Sequence, residues 1–409
     1  MSLRSDAQTI IAASIQAVQP DAAVKRALRG RDFPGRVVLA AAGKAAWQMA
    51  RAAQECLGDR MDTGVVVTKY GHVLGPIPGC TCYEAGHPVP DGNSFRGTQA
   101  VLDLVSGLTE QDTVIFLLSG GGSALFEKPL IPGEELQDIT SQLLSSGADI
   151  VEMNVIRKRL SAVKGGRFAR LCAPARVFAV VLSDILGDPL DMIASGPACA
   201  DRSTCEQALA IAEKYRLRLT PQAHELLGRE TPKELDNVET QITGSVRELC
   251  AAAARSAQEL GYEPVMLTDQ LCCQAREAGS FLASVARTHR GQGKKLAFLA
   301  GGETVVKLTG AGKGGRNQEL ALSAAQGIDG LDGVLVFSLG SDGTDGPTDA
   351  AGGVVDGQTA ARLREQGLSI HQVLEDNDAY HALAKADGLI VTGPTGTNVN
   401  DVAVVLIDI

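Results

Sequence analysis

The stretch "RVVLAAAG", Arg36 to Gly43, is an apolar run that ends in glycine and leads directly into an amphipathic stretch from Lys44 to Leu57. A short apolar run of this kind predicts a strand buried on both faces, which is typical of parallel sheets. Similar runs occur at 64–69, 113–118 and 176–184, and residues 96–108 form another amphipathic stretch. The alternation predicts βαβ units in a Rossmann-like, doubly wound sheet.

The second half of the chain repeats the α/β pattern. Helices are predicted over 245–260 and 272–289, and strands at 263–267, 333–343 and 402–409. Between the halves, the polar, proline-containing segment "GRETPKELD" at 228–236 is typical of a domain connection. We therefore expect two α/β domains, residues 1–230 and 231–409.

Composition narrows the class of protein. The chain has 409 residues and a net charge of −10, which argues against nucleic acid or an anionic membrane as a partner. It shows neither an apolar run of about 18 residues nor a signal peptide. Its nine cysteines and six histidines lack metal-site spacing. These features predict a cytoplasmic enzyme with reduced thiols and leave room for a homo-oligomer.

Two loops that follow predicted strands favour anion binding, because open α/β sheets bind ligands at that edge. In "LLSGGGSALFEKP" (117–129), Ser119 and Ser123 flank three glycines, Gly120, Gly121 and Gly122, that let backbone N–H groups approach a phosphate. The alternative is a tight strand-to-helix turn. Lys44 begins a helix, where a cation is unfavourable for the helix dipole unless an anion binds nearby.

Two acidic loops also follow strands. "VLSDILGDPLDMIASGP" (181–197) contains Asp184 and Asp188, and "GSDGTDGPTDAAG" (340–352) contains Asp342 and Asp345. Carboxylates at strand ends suit Mg²⁺, which takes one or two of them together with water and phosphate oxygens. The alternative for any single aspartate is ordinary turn chemistry.

Two further segments carry polar groups without fixing their role. The helix in "MNVIRKRLSAVKGGRFA" (153–169) presents Arg157 and Lys164, and an anion-facing helix is about as plausible as a solvated basic one. The turn "TGPTGTNVND" (392–401) carries Thr397 and Asn398, which could hold a substrate or simply join two strands.

The loop "GAGKGGRNQE" (310–319) matches the dinucleotide pattern G-x-G-x-x-G. The ribose-binding acid must then lie at the C-terminal end of the next strand, whereas Asp332 precedes that strand. We therefore reject this loop as a nicotinamide-binding fingerprint. Arg316 and Asn317 start a helix beside Lys313, and such donors suit a phosphoryl group. A P-loop and a hydrolase triad are not supported, because neither motif is present.

Seven segments together resemble one family, the class II glycerate 2-kinases, whose C-terminal part is the MOFRL domain. They span residues 40 to 401 in the family's order: "AAGKAAWQMA", "LSGGGSALFEKP", "MNVIRKRLSAVKGGRFA", "LSDILGDPLDMIASGP", "LAGGETVVKLTGAGKGGRNQELAL", "GSDGTDGPTDAAGG" and "TGPTGTNVND". The resemblance implies a Rossmann-like domain, a smaller C-terminal domain with its MOFRL region at about 295–409, and an active site in the cleft between them.

The resemblance also implies a reaction, in which ATP phosphorylates the 2-hydroxyl of D-glycerate with release of ADP. It assigns catalytic roles to Lys44 and Arg316. Mg²⁺ would be held by an aspartate of the acidic loops, and Asp184 or Asp188 is a candidate general base. Two other functions stay open, an NAD(P)H-dependent hydroxypyruvate reductase, which handles the same pair of metabolites, and a non-catalytic sugar-acid or nucleotide-binding module.

Overall fold

The computed structural model describes residues 2–408, which form two compact units. One unit, here called the central unit, is Pro20–Thr243. The other, the terminal unit, combines the residues up to Gln19 with those from Gly244 onward. Each unit is built around one six-stranded sheet. The predicted α/β class with two domains is confirmed.

The elements are numbered in chain order. The strands are β1 (Val37–Ala42), β2 (Thr63–Lys69), β3 (Cys80–Ala85), β4 (Thr113–Leu118), β5 (Arg176–Leu182), β6 (Val238–Gly244), β7 (Glu263–Leu271), β8 (Lys295–Gly302), β9 (Val334–Gly340), β10 (Gly352–Asp356), β11 (Leu389–Ile390) and β12 (Asp401–Asp408). The helices are α1 (Leu3–Ala17), α2 (Pro20–Leu28), α3 (Ala46–Leu57), α4 (Gly92–Leu104), α5 (Gly122–Leu125), α6 (Gly133–Ser145), α7 (Ile150–Leu160), α8 (Arg167–Cys172), α9 (Cys205–Lys214), α10 (Pro221–Leu227), α11 (Val246–Glu259), α12 (Ala275–His289), α13 (Arg316–Gly327), α14 (Thr359–Glu365), α15 (Ile370–Glu375) and α16 (Ala379–Lys385).

The sheet of the central unit has the strand order β3-β2-β1-β4-β5-β6. Strands β1 to β5 pair in parallel. Every residue of β1 and β4 is buried, as the continuous apolar runs predict, because apolar side chains cover both faces of the sheet. This is the doubly wound order, in which the connections change direction between the first and fourth strands.

The sheet of the terminal unit has the order β11-β10-β9-β12-β8-β7 and is mixed. β12 runs antiparallel to both neighbours, β8 and β9, so those two strands point the same way. β7 pairs in parallel with β8. Helices α12 and α13 cover one face with alanine and leucine side chains. No helix among residues 2–408 combines the length and apolarity that a membrane crossing requires.

The division of the chain differs from the predicted boundary at residue 230 in two places. The segment 228–236 packs within the central unit, where the Thr231 hydroxyl donates to Asp201 Oδ2 at 2.8 Å. The chain then adds β6 beside β5 before it leaves this unit. At the other end, α1 packs on α11, and the Tyr262 hydroxyl donates to Asp6 Oδ2 at 2.8 Å. An amphipathic helix carries no sequence signal for which of two sheets it joins.

Candidate active site

The central sheet brings two of the predicted loops together at its switch point. Lys44 follows β1 and the Ser119–Ser123 loop follows β4, and these strands are neighbours in the sheet. The Lys44 N–H donates to the Gly120 carbonyl at 2.8 Å, and the Ala45 N–H donates to the Ser119 hydroxyl at 3.1 Å. Open α/β sheets bind ligands at this position, outside the carboxyl ends of the strands.

Glycine is required in this loop because side chains crowd it. Gly121 has a left-handed φ of 84°, and a Cβ placed there would lie 3.0 Å from Lys44 Cγ. A Cβ at Gly120 would overlap the Asp184 carboxylate. The loop therefore lies directly against both charged side chains, which come from the ends of β1 and β5. The structure thus groups Lys44, the glycines and Asp184.

A histidine that sequence reasoning missed also reaches the loop. The Cβ position of Gly121 lies 3.1 Å from His87 Nε2. Burial, followed by the nearby Lys44 and Lys69, lowers the pKa of His87, and Asp184 partly offsets this effect. His87 follows β3 by two residues, so the rule that parallel strands end at one edge could have identified it.

Asp188, the second aspartate of the same acidic loop, is unusual in two respects. Its φ is 52°, a left-handed conformation that non-glycine residues rarely adopt. Its Oδ1 is buried and has no hydrogen-bond donor among residues 2–408. A buried carboxylate oxygen without a partner is costly and marks a place where a cation would fit.

Arg157 and Lys164 support the glycine loop from within the protein. Arg157 Nη2 and Lys164 Nζ both donate to the Ser123 carbonyl, at 3.0 and 2.9 Å. Lys164 is fully buried and lies 3.2 Å from Glu127 Oε2, and burial lowers its pKa to about 8 against the effect of Glu127. The Lys164 ammonium group is therefore enclosed and holds the loop in place, and its predicted contact with phosphate stays a prediction.

In the terminal unit the loop 310–315 uses its backbone donors internally. The Gly310 N–H donates to Asn377 Oδ1, and the Lys313 N–H donates to Asp378 Oδ1 at 2.9 Å. The Lys313 ammonium stacks 4.5 Å from the centre of the Tyr380 ring. These groups leave the loop poorly suited to cradle a pyrophosphate. Asp332 precedes β9, at the edge opposite the end of β8, as the sequence argument against a nicotinamide site requires.

The start of α13 is already capped by a carboxylate. Asp345, which is 3% exposed, accepts from the Asn317 N–H at 3.1 Å and from the Gln318 N–H at 2.8 Å. Burial raises its pKa to about 6 although these donors lower it. Asn317 is also buried, and its Oδ1 accepts from the Ser338 hydroxyl at 2.6 Å. Asp345 and Asn317 therefore act in the structure as a helix cap and its partner, and their metal and phosphate contacts stay predictions.

Arg316 is the most strongly paired cation of the predicted site. It forms a two-pronged contact with Asp401, at 2.6 and 3.0 Å, and donates to Glu303 Oε1 at 3.0 Å. Burial alone would lower the pKa of Arg316, but the Asp401 and Glu303 carboxylates outweigh it and raise the pKa above its ordinary value. The guanidinium is held in one orientation and keeps about a third of its surface exposed.

The remaining predicted residues make local contacts. Asp342 Oδ1 accepts from the Thr344 N–H at 3.0 Å. The buried Thr397 hydroxyl donates to the Val18 carbonyl at 2.8 Å, and Asn398 Oδ1 accepts from the backbone N–H two residues on. The Thr397 contact ties the end of α1 to the turn, and its role in binding substrate stays a prediction. Asp342 and Asn398 keep their predicted roles as proposals.

A search of residues 2–408 for three close carboxylate, thiol or imidazole ligands finds one group, Cys205, Glu206 and Glu230. None of the predicted metal ligands belongs to it. Glu230 is already paired with Arg159 and Lys233, so its charge is neutralised by the protein.

Comparison with known proteins covers nearly the full chain. Residues 6–228 match a family model described as a domain of unknown function (DUF4147), and residues 296–401 match the MOFRL family. A D-glycerate 2-kinase from Thermotoga maritima is 53% identical over 412 residues, covering 99% of each chain. The crystal structure of a glycerate kinase from Thermotoga maritima superposes with a TM-score of 0.95 at 52% identity, again over 99% of each chain.

Another relative, from Agrobacterium vitis, is provisionally named a hydroxypyruvate reductase. It is 38% identical over 423 residues, covering 100% of this chain and 95% of its own. The more similar relative and the solved structure both carry the kinase name, and in the loop 310–315 the acidic residue Asp332 lies at the wrong edge of the sheet for a dinucleotide site. The chain belongs to the glycerate 2-kinase family with a MOFRL domain.

Proposed function

We propose that this chain transfers the γ-phosphoryl group of ATP to the 2-hydroxyl of D-glycerate, giving 2-phosphoglycerate and ADP. The observation that carries the proposal is the meeting of Lys44, the Gly120–Gly121 turn and Asp184 at the switch point of the central sheet. Phosphoryl transfer asks the protein mainly to position the reactants and to neutralise charge. A cation and an acceptor on either side of a glycine turn supply both requirements.

Lys44 is the proposed cation at the transferring phosphoryl group. It lies against Gly121, where a bound phosphate can approach the backbone closely because the side chain is absent. Negative charge is redistributed over the oxygens of the phosphoryl group as it is transferred. A fixed Lys44 ammonium group can therefore stabilise the transition state more than the ground state.

Arg316 is the proposed second catalytic cation. Asp401 and Glu303 fix its orientation, which reduces the entropy lost when it binds an anion. A carboxylate-paired arginine still offers hydrogen-bond donors, because the guanidinium carries five N–H groups.

Asp188 is the residue best suited to hold Mg²⁺, because its buried Oδ1 has no protein donor among residues 2–408. A bound Mg²⁺ ion neutralises phosphate charge and orients the nucleotide. Asp184 lies against Gly120 and is the proposed acceptor of the hydroxyl proton. We retain Asp342 as a further candidate ligand.

The experiment that tests the function compares the two chemistries that the relatives' names suggest. Purified protein is given D-glycerate with Mg-ATP, and separately hydroxypyruvate with NADH or NADPH. We expect ADP release in the first reaction and no oxidation of nicotinamide in the second. Robust nicotinamide oxidation without ATP, together with no ADP release, would establish the reductase instead.

A further inference from the structure

A cluster of polar side chains lies at the far end of the glycine loop from Lys44. It consists of Ser123, Arg157, Asn154 and Ser195, and is here called the Arg157 cluster. Asn154 and Ser195 are buried, whereas Ser123 and Arg157 are partly exposed. The Ser195 hydroxyl donates to Asn154 Oδ1 at 2.8 Å and lies 3.4 Å from the Ser123 hydroxyl.

Arg157 has donor capacity that the protein does not use. Its Nη2 donates to the Ser123 carbonyl, but its Nε is buried and finds no acceptor among residues 2–408. An unused buried donor on a charged group is expensive, and such a group is usually explained by a ligand or ion. The Glu127 carboxylate is paired with Lys164, and it only partly offsets the burial that lowers the pKa of Arg157.

The backbone behind the cluster is held in an unfavourable conformation. Ala194 and Ser195 have φ angles of 51° and 61°, and Gly196 follows at 67°. Left-handed backbone is unfavourable for non-glycine residues, and it persists where the surrounding structure fixes it. Here the Ser195 carbonyl accepts from the Gly165 N–H at 3.0 Å. This conformation fixes the Ser195 hydroxyl beside Asn154 and Ser123, so Asn154 and Ser195 are positioning residues.

The geometry points to the Arg157 cluster as the subsite that binds the carboxylate of the hydroxy acid. Ser123 is two residues beyond Gly121, which contacts Lys44, and two residues span at most about 7 Å. The carboxylate and the 2-hydroxyl of glycerate lie on neighbouring carbons. One end of the loop can therefore hold the hydroxyl that is phosphorylated while the other end holds the carboxylate, and a single planar guanidinium suits a carboxylate.

This inference rests on the proposed function and is tested by binding without turnover. Calorimetry measures the Kd of D-glycerate, of glycerol as the analogue without a carboxylate, and of ADP as a source of phosphate groups. Arg157→Gln should weaken glycerate binding by about 10- to 100-fold, the factor expected for one hydrogen bond to a charged group, and should leave ADP binding unchanged. Arg170→Gln, which alters an exposed arginine on α8, is the matched control.

Ser123→Ala provides a second variant, because it keeps the carbonyl that Arg157 and Lys164 hold and so preserves the fold. It should weaken glycerate binding by about 5- to 10-fold and leave glycerol binding unchanged. Equal weakening of ADP and glycerate by Arg157→Gln would assign the cluster to nucleotide phosphate and overturn the inference. Unchanged glycerate binding in both variants would also overturn it. If the wild-type protein binds ADP but not glycerate, the proposed function itself fails.

Discussion

Replacing Arg316 by alanine separates its role in stability from its role in catalysis. The change removes the two hydrogen bonds to Asp401 and the one to Glu303. Glu303 is largely exposed, so its part of the loss is small. Asp401 is only 6% exposed, and a buried charge that loses its partner costs about 3–5 kcal/mol.

Protonation of Asp401 sets an upper limit to this cost. The ordinary pKa of an aspartate is about 3.9, and each pH unit above it adds about 1.4 kcal/mol to the free energy of protonating the carboxylate. At pH 7 protonation therefore costs about 4 kcal/mol. We therefore expect Arg316→Ala to lower the stability of the terminal unit by about 3–4 kcal/mol at pH 7, and its Tm by about 10 °C. The folded-state pKa of the unpaired carboxyl is raised, so the loss is smallest at low pH and grows as pH rises through that pKa.

The assay is differential scanning calorimetry of Arg316→Ala and of the double variant Arg316→Met/Asp401→Asn, with kcat measured on the same samples. Removing both charges should restore most of the stability, because no buried carboxylate is then left without its partner and Glu303 is exposed to solvent. It should not restore kcat, which should stay about 10²- to 10³-fold below wild type, the usual loss for one transition-state donor. A double variant that regains both stability and kcat would refute a catalytic role for Arg316.

Three further results are expected. Lys44→Ala should lower kcat by about 10²- to 10³-fold with little change in Tm. Lys313→Ala should lower kcat much less, because the Lys313 ammonium stacks on an aromatic ring. Equal losses of kcat in the two variants would contradict a catalytic role for Lys44. Gly120→Ala should lower kcat at least about tenfold, because the added Cβ would overlap Asp184. Gly92→Ala should leave kcat nearly unchanged, because a Cβ there meets no atom within 4 Å. Equal kcat values in the two variants would refute the close packing of Gly120 against Asp184. Excess chelator should abolish ADP release and Mg²⁺ should restore it while Tm stays unchanged; full activity in chelator would exclude the metal.

The sequence was most informative about the strands of the central sheet and the loops that directly follow them. Continuous apolar runs predicted β1, β4 and β5, and the rule that open α/β sheets bind ligands after their strands singled out both Lys44 and the Ser119–Ser123 loop. Their contact follows from the pairing of β1 with β4, which the sequence did not predict. The same rule could have identified His87, which also follows a strand. The other candidate sites were recognised by a lysine, by aspartates or by consecutive glycines, and the turn at His87 has none of these patterns. The contact of His87 with Gly121 depends on how β3 is ordered in the sheet.

The sequence was least informative about polar side chains that make structural contacts within the protein. Lys164 and Asp345 occur in glycine-rich or acidic loops, as ligand-binding residues do, yet each is buried and bonded to nearby backbone groups. Burial of a charged side chain depends on contacts distant in sequence, which no local pattern reports. The placement of α1 in the terminal unit has the same cause, because Asp6 and Tyr262 meet only in the folded chain.

The position of the phosphate in the product tests the central claim most directly. D-glycerate labelled with ¹³C at the second carbon is incubated with Mg-ATP and the protein, and the product is examined by ¹³C and ³¹P NMR. Transfer to the 2-hydroxyl predicts a two-bond phosphorus coupling on the labelled carbon, with one ADP released for each product formed. A product phosphorylated at the third carbon, or ADP release without any phosphorylated acid, would contradict the account.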